Sequence, residues 1–394
     1  MDTNPVIEML GRRLRLAVIG GGPGSSIGSM HRAAARIDDR YELVAGALSS
    51  DPDKSRRAAS ELGIPRAYGD GIELLDAEAE RGDGADVVAI MTPNDTHHLY
   101  SLAALERGFD VISDKPITNT LDEALDLLQR VEDSGLVFCL THNYTGYPLV
   151  RQARAMVEDG QLGEIRLVQV EYVQGGKASE DDPAPGDDVP WRYDPVRGGP
   201  SLVMGDIGTH AHNLARFVTG LEVSEVAAEV GHIVPDRLVD DYAGAMLRFD
   251  NGARGIFWVT QAAAGVENCL RLRVSGTRGT IEWMQEQPTS LIFRPLDGPV
   301  QVHTPNGPGT LPLAARASRI VAGHPEGFHE GFANVYSDAA EAIAARRAGV
   351  AANPLALHFP DARDGVLGVR FVDAAMKSSA AGGAWTSAAL DPRV

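Results

Sequence analysis

The N-terminal third of the chain alternates between continuous apolar strands and helices, and this pattern constrains the fold more than any other feature. Residues 14–20 and 85–92 are almost wholly apolar, whereas 51–63 and 121–135 have helical periodicity and end at glycines. Strands that are apolar on both faces belong in a parallel sheet that helices cover on both sides. The sequence therefore predicts an α/β protein whose residues 1–145 form a doubly wound, Rossmann-type parallel sheet that binds a dinucleotide.

Beyond residue 150, one further helix (150–159) is predicted, and after it apolar and polar residues alternate, which is typical of half-buried strands. The segments with this alternation are 164–173, 223–234, 241–263 and 269–285. Two of them contain the hairpin signals "DNG" and "GTRG". We expect residues 146–394 to form a C-terminal α/β domain with a large, mostly antiparallel open sheet. One sheet face would remain for helices or for another subunit, and the terminal helices, 331–349 and 362–382, can pack back on the first domain.

Length and charge narrow the class of protein. A chain of 394 residues is too long for one hydrophobic core, so two domains are expected. The net charge of −18 argues against a nucleic acid or an anionic membrane as partner. The N-terminus is interpreted as a short extension before the first strand and not as a signal peptide. The two cysteines, Cys139 and Cys269, predict reduced thiols and a cytoplasmic location, and no spacing predicts a metal site.

A glycine-rich turn, "VIGGGPGSSIGSMHRAA", joins the first strand to the first helix. Gly20 would make the tight turn, and Gly22 would let the backbone approach a pyrophosphate at the helix N-terminus. Gly28 would take the third, close-packing position, which requires three extra residues in the turn. The context of strand, glycines and helix predicts an NAD or NADP site, with an unliganded glycine loop as the alternative.

The end of the second predicted strand bears on the choice between NAD and NADP. The position that usually holds an acid for the adenosine ribose falls on Ser49, and Lys54 and Arg56 follow shortly after. A hydroxyl and nearby cations can accept a 2′-phosphate, whereas Asp51 could serve the ribose if the turn shifts by two residues. The choice stays open and tilts towards NADP or dual use.

Polar residues follow two further strands at the edge where such sheets place their ligands. In "TPNDTHH", Pro93 and Asn94 are predicted to line the nicotinamide ribose, and His97 to contact the cofactor unless it is a surface histidine. Lys115, in "DVISDKPIT", stands at the carboxyl end of a later strand. A flexible cation in that position predicts a functional role.

A second group of polar residues lies in "GGPSLVMGDIGTHAHNLARFVTG", in the C-terminal half. Asp206 and His210 are four residues apart, so on a helix they share one face. With Lys115 they suit alcohol oxidation: the histidine takes the proton, the lysine stabilises developing alkoxide charge, and the aspartate orients a second hydroxyl. The alternatives are a helix cap for Asp206, a packed core histidine for His210 and a surface lysine for Lys115.

Four motifs in this order and spacing resemble the Gfo/Idh/MocA oxidoreductases over essentially the whole chain. They are the strand with its glycines, "TPN…H", "DKP" at 114–116, and the glycine pair followed by D-x-x-x-H in "GGPSLVMGDIGTH". The strand pairs "DNGARGIFWVTQ" and "VSGTRGTIEW" also look like that family's second-domain hairpins. The resemblance implies NAD(P)-dependent oxidation or reduction at a carbon of a sugar, inositol or related polyol, and an open sheet that often forms oligomer contacts.

Carried over by motif, the resemblance implies that Lys115, Asp206 and His210 are catalytic. Asp114 stands where the family usually has glutamate, which keeps the charge on a shorter side chain. The residues predicted to contact the cofactor are Gly20, Gly22, Gly28, Ser49, Lys54, Thr92, Pro93, Asn94, His97 and Asp114. The residues predicted to contact the substrate, partly from the long loop 175–200, are Asn143, Trp191, Arg192 and Tyr193. The alternative for Trp191 is an anchor of the loop.

The leading hypothesis is a dehydrogenase that oxidises a secondary hydroxyl of a sugar, glycoside or cyclitol, as a homodimer or homotetramer. A second enzyme hypothesis keeps the same site but uses a tightly held NAD for transient oxidation, in glycoside cleavage or epimerisation. The non-enzyme alternative is a sugar or nucleotide sensor on the same fold. Retention of lysine, aspartate and histidine together argues against the sensor, which needs no such set.

Overall fold

The structure is a computed structural model that describes residues 4–179 and 190–390, and it divides into two compact units. The first unit consists of Met1–Thr118, Asp122–Gly146 and Phe328–Val366, and the second of Asn119–Leu121, Tyr147–Gly327 and Leu367–Val394. The sequence places a boundary after residue 145 and allows the terminal helices to join the first domain. In the structure the chain passes into the second unit after Gly146, and a C-terminal segment returns to the first.

The first unit contains a six-stranded sheet in which every pair of neighbouring strands is parallel. Its strands are β1 (Leu14–Gly20), β2 (Tyr41–Ala47), β3 (Arg66–Ala67), β4 (Val87–Met91), β5 (Asp110–Ser113) and β6 (Phe138–Leu140). Their order across the sheet is β3-β2-β1-β4-β5-β6. The switch between β1 and β4 brings the carboxyl ends of several strands to one edge, so the predicted doubly wound sheet is confirmed.

The second unit contains a nine-stranded sheet in the order β14-β13-β12-β11-β7-β10-β9-β8-β15. Its strands are β7 (Ile165–Val173), β8 (Val223–Gly231), β9 (Tyr242–Phe249), β10 (Arg254–Thr260), β11 (Cys269–Gly276), β12 (Gly279–Met284), β13 (Leu291–Pro295), β14 (Gln301–His303) and β15 (Thr386–Ser387). Within this sheet, β7 and β10 form the one parallel pair among the described strands, and the other neighbouring strands are antiparallel. The mostly antiparallel sheet is therefore confirmed, although β13, β14 and β15 were not predicted.

Eleven α-helices are described, and several were not anticipated from periodicity. They are α1 (Pro5–Leu10), α2 (Ser26–Ile37), α3 (Pro52–Glu61), α4 (Gly71–Ala79), α5 (His97–Glu106), α6 (Leu121–Ser134), α7 (Pro148–Glu158), α8 (Thr209–Thr219), α9 (Pro312–Arg316), α10 (Phe328–Ala348) and α11 (Ala362–Ala380). The predicted N-terminal extension contains α1, because Asn4 caps it by accepting a hydrogen bond from the Val6 amide. No helix of the described parts is long and apolar enough to cross a membrane.

Aromatic side chains of α10 complete the core of the first unit. Phe332 and Tyr336 are each 1% exposed and belong to the same buried cluster as Leu16 and Val18 of β1. The hydroxyl of Tyr41 donates to the backbone carbonyl of Tyr336 over 2.7 Å. A segment from the C-terminal part of the chain is thus built into the core of the N-terminal sheet.

The two faces of the second sheet differ, as β10 shows. Phe257 and Val259 are buried at 1% and 0% exposure, whereas Ile256 and Trp258 are 59% and 38% exposed. The buried face meets helices, since the ring of Phe257 lies 5.1 Å from that of Phe371 in α11. The opposite face of the central strands carries exposed apolar side chains.

Candidate active site

The glycine turn after β1 has the close backbone packing that excludes side chains. Gly20 has a φ of 83°, which favours glycine. A Cβ on Gly22 would lie 2.4 Å from the carbonyl oxygen of Leu48, and one on Gly28 would lie 2.0 Å from that of Gly21. These positions accept no side chain without a shift of backbone, which is why the sequence keeps glycine there.

After β2, the carboxylate of Asp51 is engaged by the backbone and is not free in the way expected of an acid that binds the adenosine ribose. Asp51 caps α3, because its Oδ1 accepts the amides of Asp53 and Lys54 at 3.0 and 2.9 Å. The bond from the Lys54 amide lowers the pKa of Asp51. Ser49 is half-buried, and its hydroxyl accepts the amide of Asp51 at 3.1 Å. The capping role makes Asp51 a weaker candidate for the ribose than Ser49.

The loop after β4 is held by its own hydroxyl groups. The hydroxyl of Thr96 donates to Thr92 Oγ1 over 2.7 Å and lies 2.8 Å from the carbonyl oxygen of Pro93. Asn94 opens a 3₁₀ turn that leads into α5. Thr92, Pro93 and Asn94 are half-buried at the carboxyl end of the strand, the edge that binds ligands in such sheets.

His97 is fully buried at the start of α5, so the surface alternative is wrong for this residue. Its Nδ1 lies 2.7 Å from the carbonyl oxygen of Pro116, and its Nε2 lies 2.9 Å from that of Thr92. Both ring nitrogens therefore face backbone carbonyls, and a direct contact of His97 with a cofactor stays a prediction. His98 pairs with Asp126 at 2.9 Å.

Lys115 follows β5 after a single residue, Asp114, and both are half-buried. The Oδ1 of Asp114 accepts the Lys115 amide at 2.8 Å and the Thr141 hydroxyl at 3.0 Å. The Asp114 amide donates to the carbonyl of Ile90 at the end of β4. Asp114 thus ties three strand ends together, two through the carboxylate that replaces the expected glutamate and one through its backbone amide, next to a cis peptide between Lys115 and Pro116.

Asn143 lies in a 3₁₀ turn, Asn143–Gly146, directly after β6. The residue is 5% exposed, and its amide donates to the carbonyl of Thr141 over 2.9 Å. Its Nδ2 is buried and has no hydrogen-bond partner among residues 4–179 and 190–390. A buried amide with an unmatched donor favours a ligand contact, because leaving such a donor unpaired costs about 1–3 kcal/mol.

In the second unit, Asp206 lies in a π-helical turn, Met204–Gly208, that continues into α8. The sequence predicts a helix here, and the structure widens its first part, so Asp206 and His210 do not follow plain α-helical spacing. Single π-helical turns occur frequently at functional sites. His210 is 9% exposed, and its ring lies 6.4 Å from that of Tyr172 in an edge arrangement.

A side-chain network that the sequence did not reveal holds Asp206. Gln261 donates from Nε2 to Asp206 Oδ2 over 2.9 Å and lies 3.3 Å from Gln174 Oε1. Gln174 in turn donates to Asn268 Oδ1 over 2.6 Å, and the hydroxyl of Tyr172 reaches the same oxygen at 2.9 Å. Asp206 is thus oriented from outside its own helix.

One physical signal could have found this network. Strands β7 and β10 are parallel and in register up to Val173 and Thr260, so Gln174 and Gln261 leave the sheet side by side. Polar residues that follow neighbouring parallel strands meet at one edge. The alternating pattern of these strands suggested an antiparallel pair and therefore hid the match.

The long loop of the second unit is anchored at its described ends, whereas residues 180–189 of the predicted loop lie outside the described residues. Trp191, Arg192 and Tyr193 form a 3₁₀ turn, and the Arg192 guanidinium lies 4.6 Å from the centre of the Trp191 ring. Lys177 donates to the Tyr193 hydroxyl over 2.8 Å, and its amide donates to the carbonyl of Gln261. Lys177 therefore belongs to the same region and was missed from the sequence.

The first unit fits a dinucleotide on the geometry of its own turn. The glycines leave backbone in place of side chains before α2, and Ser25 caps that helix through the Gly28 amide at 3.2 Å. Backbone amides and the helix dipole at such a terminus favour a pyrophosphate. Within residues 4–179 and 190–390, no group of three or more metal-ligating side chains could hold a metal ion.

Comparison with known families gives matches in both units. Residues 14–142 match the oxidoreductase family with an NAD-binding Rossmann fold, and residues 150–282 match the GFO/IDH/MocA C-terminal domain. The chain is also 31% identical to the uncharacterized oxidoreductase YfiI of Bacillus subtilis (strain 168), over 96% of this chain and 98% of that one.

Two further relatives have names that state a ligand or an activity. Levoglucosan dehydrogenase of Pseudarthrobacter phenanthrenivorans is 28% identical over 70% of this chain and 75% of its own length. The solved structure of an inositol dehydrogenase homolog from Azotobacter vinelandii, in complex with NADH and myo-inositol, is 36% identical. It covers 96% of this chain and 98% of that chain with a TM-score of 0.87.

Proposed function

The chain belongs to the Gfo/Idh/MocA family of oxidoreductases, and from that premise we propose that it is an NAD(P)-dependent dehydrogenase of a sugar, glycoside or inositol-type polyol. The observation that carries the proposal is the placement of Lys115 after β5, with a single residue between them, and with its amide bound by Asp114. The names of relatives that act on levoglucosan or bind myo-inositol support this substrate class.

The first unit would hold the cofactor. The glycine turn and the N-terminus of α2 would bind the pyrophosphate, and Thr92, Pro93 and Asn94 would line the nicotinamide ribose. When bound, the nicotinamide ring supplies the acceptor for the hydride that leaves the carbinol carbon. Asn143, with its unmatched buried amide, would donate a hydrogen bond to the cofactor or the substrate.

Three side chains would handle the proton and the charge of the reacting hydroxyl. Oxidation of a secondary alcohol to a ketone releases one proton along with the hydride, and His210 would accept that proton. The Lys115 ammonium would donate a hydrogen bond to the reacting oxygen and stabilise its developing negative charge. Asp206, held by Gln261, would accept a hydrogen bond from a neighbouring hydroxyl of the polyol.

Loop residues of the second unit would determine the substrate specificity. Trp191 offers a ring against which a sugar can pack, and Arg192 offers a fork of donors for its hydroxyls. Tyr193 would act with Lys177, because the two are hydrogen-bonded. Such polar contacts discriminate between epimers, since a mismatched hydroxyl leaves a protein donor or acceptor unpaired.

Cofactor choice would follow from the residues after β2. The carboxylate of Asp51 is committed to the cap of α3, so Ser49 and Lys54 are the side chains proposed to meet the adenosine ribose. Neither repels a 2′-phosphate, which favours NADP or dual use. This arrangement also leaves NAD acceptable, since a serine hydroxyl can bind a ribose hydroxyl.

The uncovered face of the second sheet would associate with a second copy of the chain. Met246 and Ile256 are paired across β9 and β10 and are 57% and 59% exposed. Leu167 on β7 and Trp258 on β10 extend this apolar surface with exposures of 58% and 38%. A continuous apolar surface on a sheet face is typical of an interface between subunits.

A charge on this face would disrupt the association. We expect Ile256→Asp to lower the molar mass in solution, measured by light scattering, with little change in the free energy of unfolding. Ile320→Asp, which changes a 41% exposed isoleucine outside the strands, serves as the control. An unchanged mass for Ile256→Asp would show that the face is not an interface.

The test of the proposed function is a substrate panel of inositols, aldoses and glycosides with NAD and with NADP. Reduction is followed by the near-ultraviolet absorbance of the reduced nicotinamide. Reduction with one class of polyol would support the proposal and fix the substrate class and the cofactor together. No reduction with any of them, alongside cofactor binding seen by fluorescence, would overturn it in favour of a tightly held NAD or a sensor.

A further inference from the structure

We propose that His97 is a positioning residue that fastens the loop carrying Lys115 to the loop that follows β4. The imidazole is fully buried and lies between two backbone carbonyls. Its Nδ1 is 2.7 Å from Pro116 O, in the residue after Lys115, and its Nε2 is 2.9 Å from Thr92 O. The inference rests on the proposed function, because it assumes that Lys115 takes part in the reaction.

The chemistry of the ring makes this contact a defined link. Carbonyl oxygens only accept hydrogen bonds, so each contact is a hydrogen bond when the facing nitrogen carries a proton. A ring with one proton satisfies one carbonyl, and a ring with two protons satisfies both. Because the ring is rigid, it also fixes the separation between Pro116 and Thr92, which belong to segments 24 residues apart in the sequence.

The same link completes the support of Lys115 from both sides. The residue before it, Asp114, accepts the Lys115 amide at 2.8 Å and the Thr141 hydroxyl at 3.0 Å. The residue after it, Pro116, is held by His97. The backbone on either side of the lysine is therefore fixed to neighbouring strands. A reacting group displaced by about 1 Å can lose a hundredfold in rate, so this support is expected to matter for turnover.

Two substitutions separate the two halves of the link. The Nδ2 of asparagine takes roughly the place of histidine Nδ1, and the Nε2 of glutamine roughly that of histidine Nε2. His97→Asn can keep the bond to Pro116, whereas His97→Gln can keep the bond to Thr92. We expect His97→Gln to lower kcat by about ten- to a hundredfold while the Kd of the cofactor changes little.

The opposite split is expected for His97→Asn. This variant should lower kcat much less than His97→Gln does and should weaken cofactor binding, because the loop of Thr92 is released. The measurements are steady-state kinetics, a fluorescence titration with NADH or NADPH, and thermal unfolding to check that both variants fold. Equal losses in the two variants, following their Tm values, would overturn the proposal and leave His97 as a core residue only.

A double-mutant cycle tests whether His97 acts through Lys115. In a Lys115→Met background, His97→Gln should lower turnover no further, because the group that it positions is gone. Effects that multiply would refute the link between the two residues. Unchanged turnover in Lys115→Met alone would refute the role of Lys115 and this inference with it, so the two failures are distinguishable.

Discussion

The two units support the side chains that we propose to be functional in different ways. In the first, hydrogen bonds to backbone fix the residues at the ends of parallel strands: Asp114 binds an amide, and His97 faces two carbonyls. In the second, Asp206 is fixed by a side chain, Gln261, which itself depends on further side chains. Backbone support is independent of most substitutions, whereas a chain of side chains can be changed one residue at a time. The first arrangement suits a constant cofactor, and the second suits a varying substrate.

The sheets of the two units differ as well, because the strands of the first are packed on both faces and those of the second on one. The five residues of β4 are between 0% and 4% exposed, so both faces of that strand are packed. Along β10, Ile256 and Trp258 are exposed while Phe257 and Val259 are buried. A parallel sheet covered on both sides keeps its ligand edge in place, and an open sheet leaves one face for other contacts.

The largest expected effect concerns the first unit. Lys115→Met should lower turnover by about 10²- to 10³-fold, because it removes the proposed donor to the developing alkoxide. The Kd of the cofactor should change much less, since the backbone of the loop is held by Asp114 and His97. Lys377→Met, at an exposed lysine of α11, is the matched control and should retain full turnover. Unchanged kinetics in Lys115→Met would remove the basis for the comparison.

Acid stability tests the buried polar core of the first unit. Burial lowers the pKa of His31 from 6.5 to about 4, so the unfolded chain takes up a proton there before the folded chain does. Stability is therefore lost as the pH falls from 6.5 towards 4, by about 3 kcal/mol from this residue alone. His31→Asn, which can still reach the Tyr336 hydroxyl, should lose less on acidification.

The measurement is urea unfolding of both proteins at pH 7 and at several values down to pH 4.5, so that other groups cancel in the difference. His303→Asn is the comparison in the second unit: burial also lowers the pKa of His303, but this residue is only half-buried, so its variant should change the pH dependence of stability in the same direction and by less. Identical pH profiles for the parent and His31→Asn would mean that His31 is protonated equally in both states.

The third prediction concerns the side-chain support in the second unit. Gln261→Leu should lower kcat/KM for the polyol by about ten- to a hundredfold, because a hydrogen bond to the Asp206 carboxylate is lost. The Kd of the cofactor should stay the same. Gln129→Leu, which removes an exposed hydrogen bond to Asp133 in α6, is the control. Weaker cofactor binding in Gln261→Leu would show that the division of tasks between the units is wrong.

The smallest expected effect is on cofactor preference. Ser49→Asp should shift the ratio of kcat/KM values towards NAD by about tenfold, because a carboxylate repels a 2′-phosphate in a partly exposed site. Ser50→Asp places the same charge on the exposed neighbouring residue. A shift in Ser50→Asp alone would move the ribose position by one residue. No shift in either variant would exclude this segment from cofactor choice.

Much of the first unit could be predicted because its signals are local. An uninterrupted apolar strand, glycines and a helix start lie within a short stretch, and the carboxyl ends of parallel strands coincide, which placed Lys115 and Asn94 correctly at one edge. The two-residue strand β3 and helix α4 were missed, since a short strand carries no periodicity and α4 depends on its cap, Asp70. The predicted contact of His97 with the cofactor stays a prediction, and its two carbonyl partners could not be predicted because they depend on tertiary packing.

The second unit was harder to predict for a physical reason. Its site depends on contacts between distant segments, such as Gln261 with Asp206, which are 55 residues apart. The π-helical turn around Asp206 has no sequence signal of its own. The hydrogen bond from Lys177 to Tyr193 joins two positions on either side of residues 180–189, so no local pattern predicts it. Alternation predicted the strands, but not which of them would run in parallel.

The return of the chain to the first unit has a consequence for its biosynthesis. The core beside β1 includes Phe332 and Tyr336 of α10, which a ribosome adds only after the strands of the second sheet up to β14. The nascent nucleotide-binding unit therefore emerges with an unfilled core, although N-terminal domains commonly fold during synthesis. The first unit is therefore begun first but completed late. A chain truncated before residue 328 would lack both Phe332 and Tyr336 and so could not fill this core.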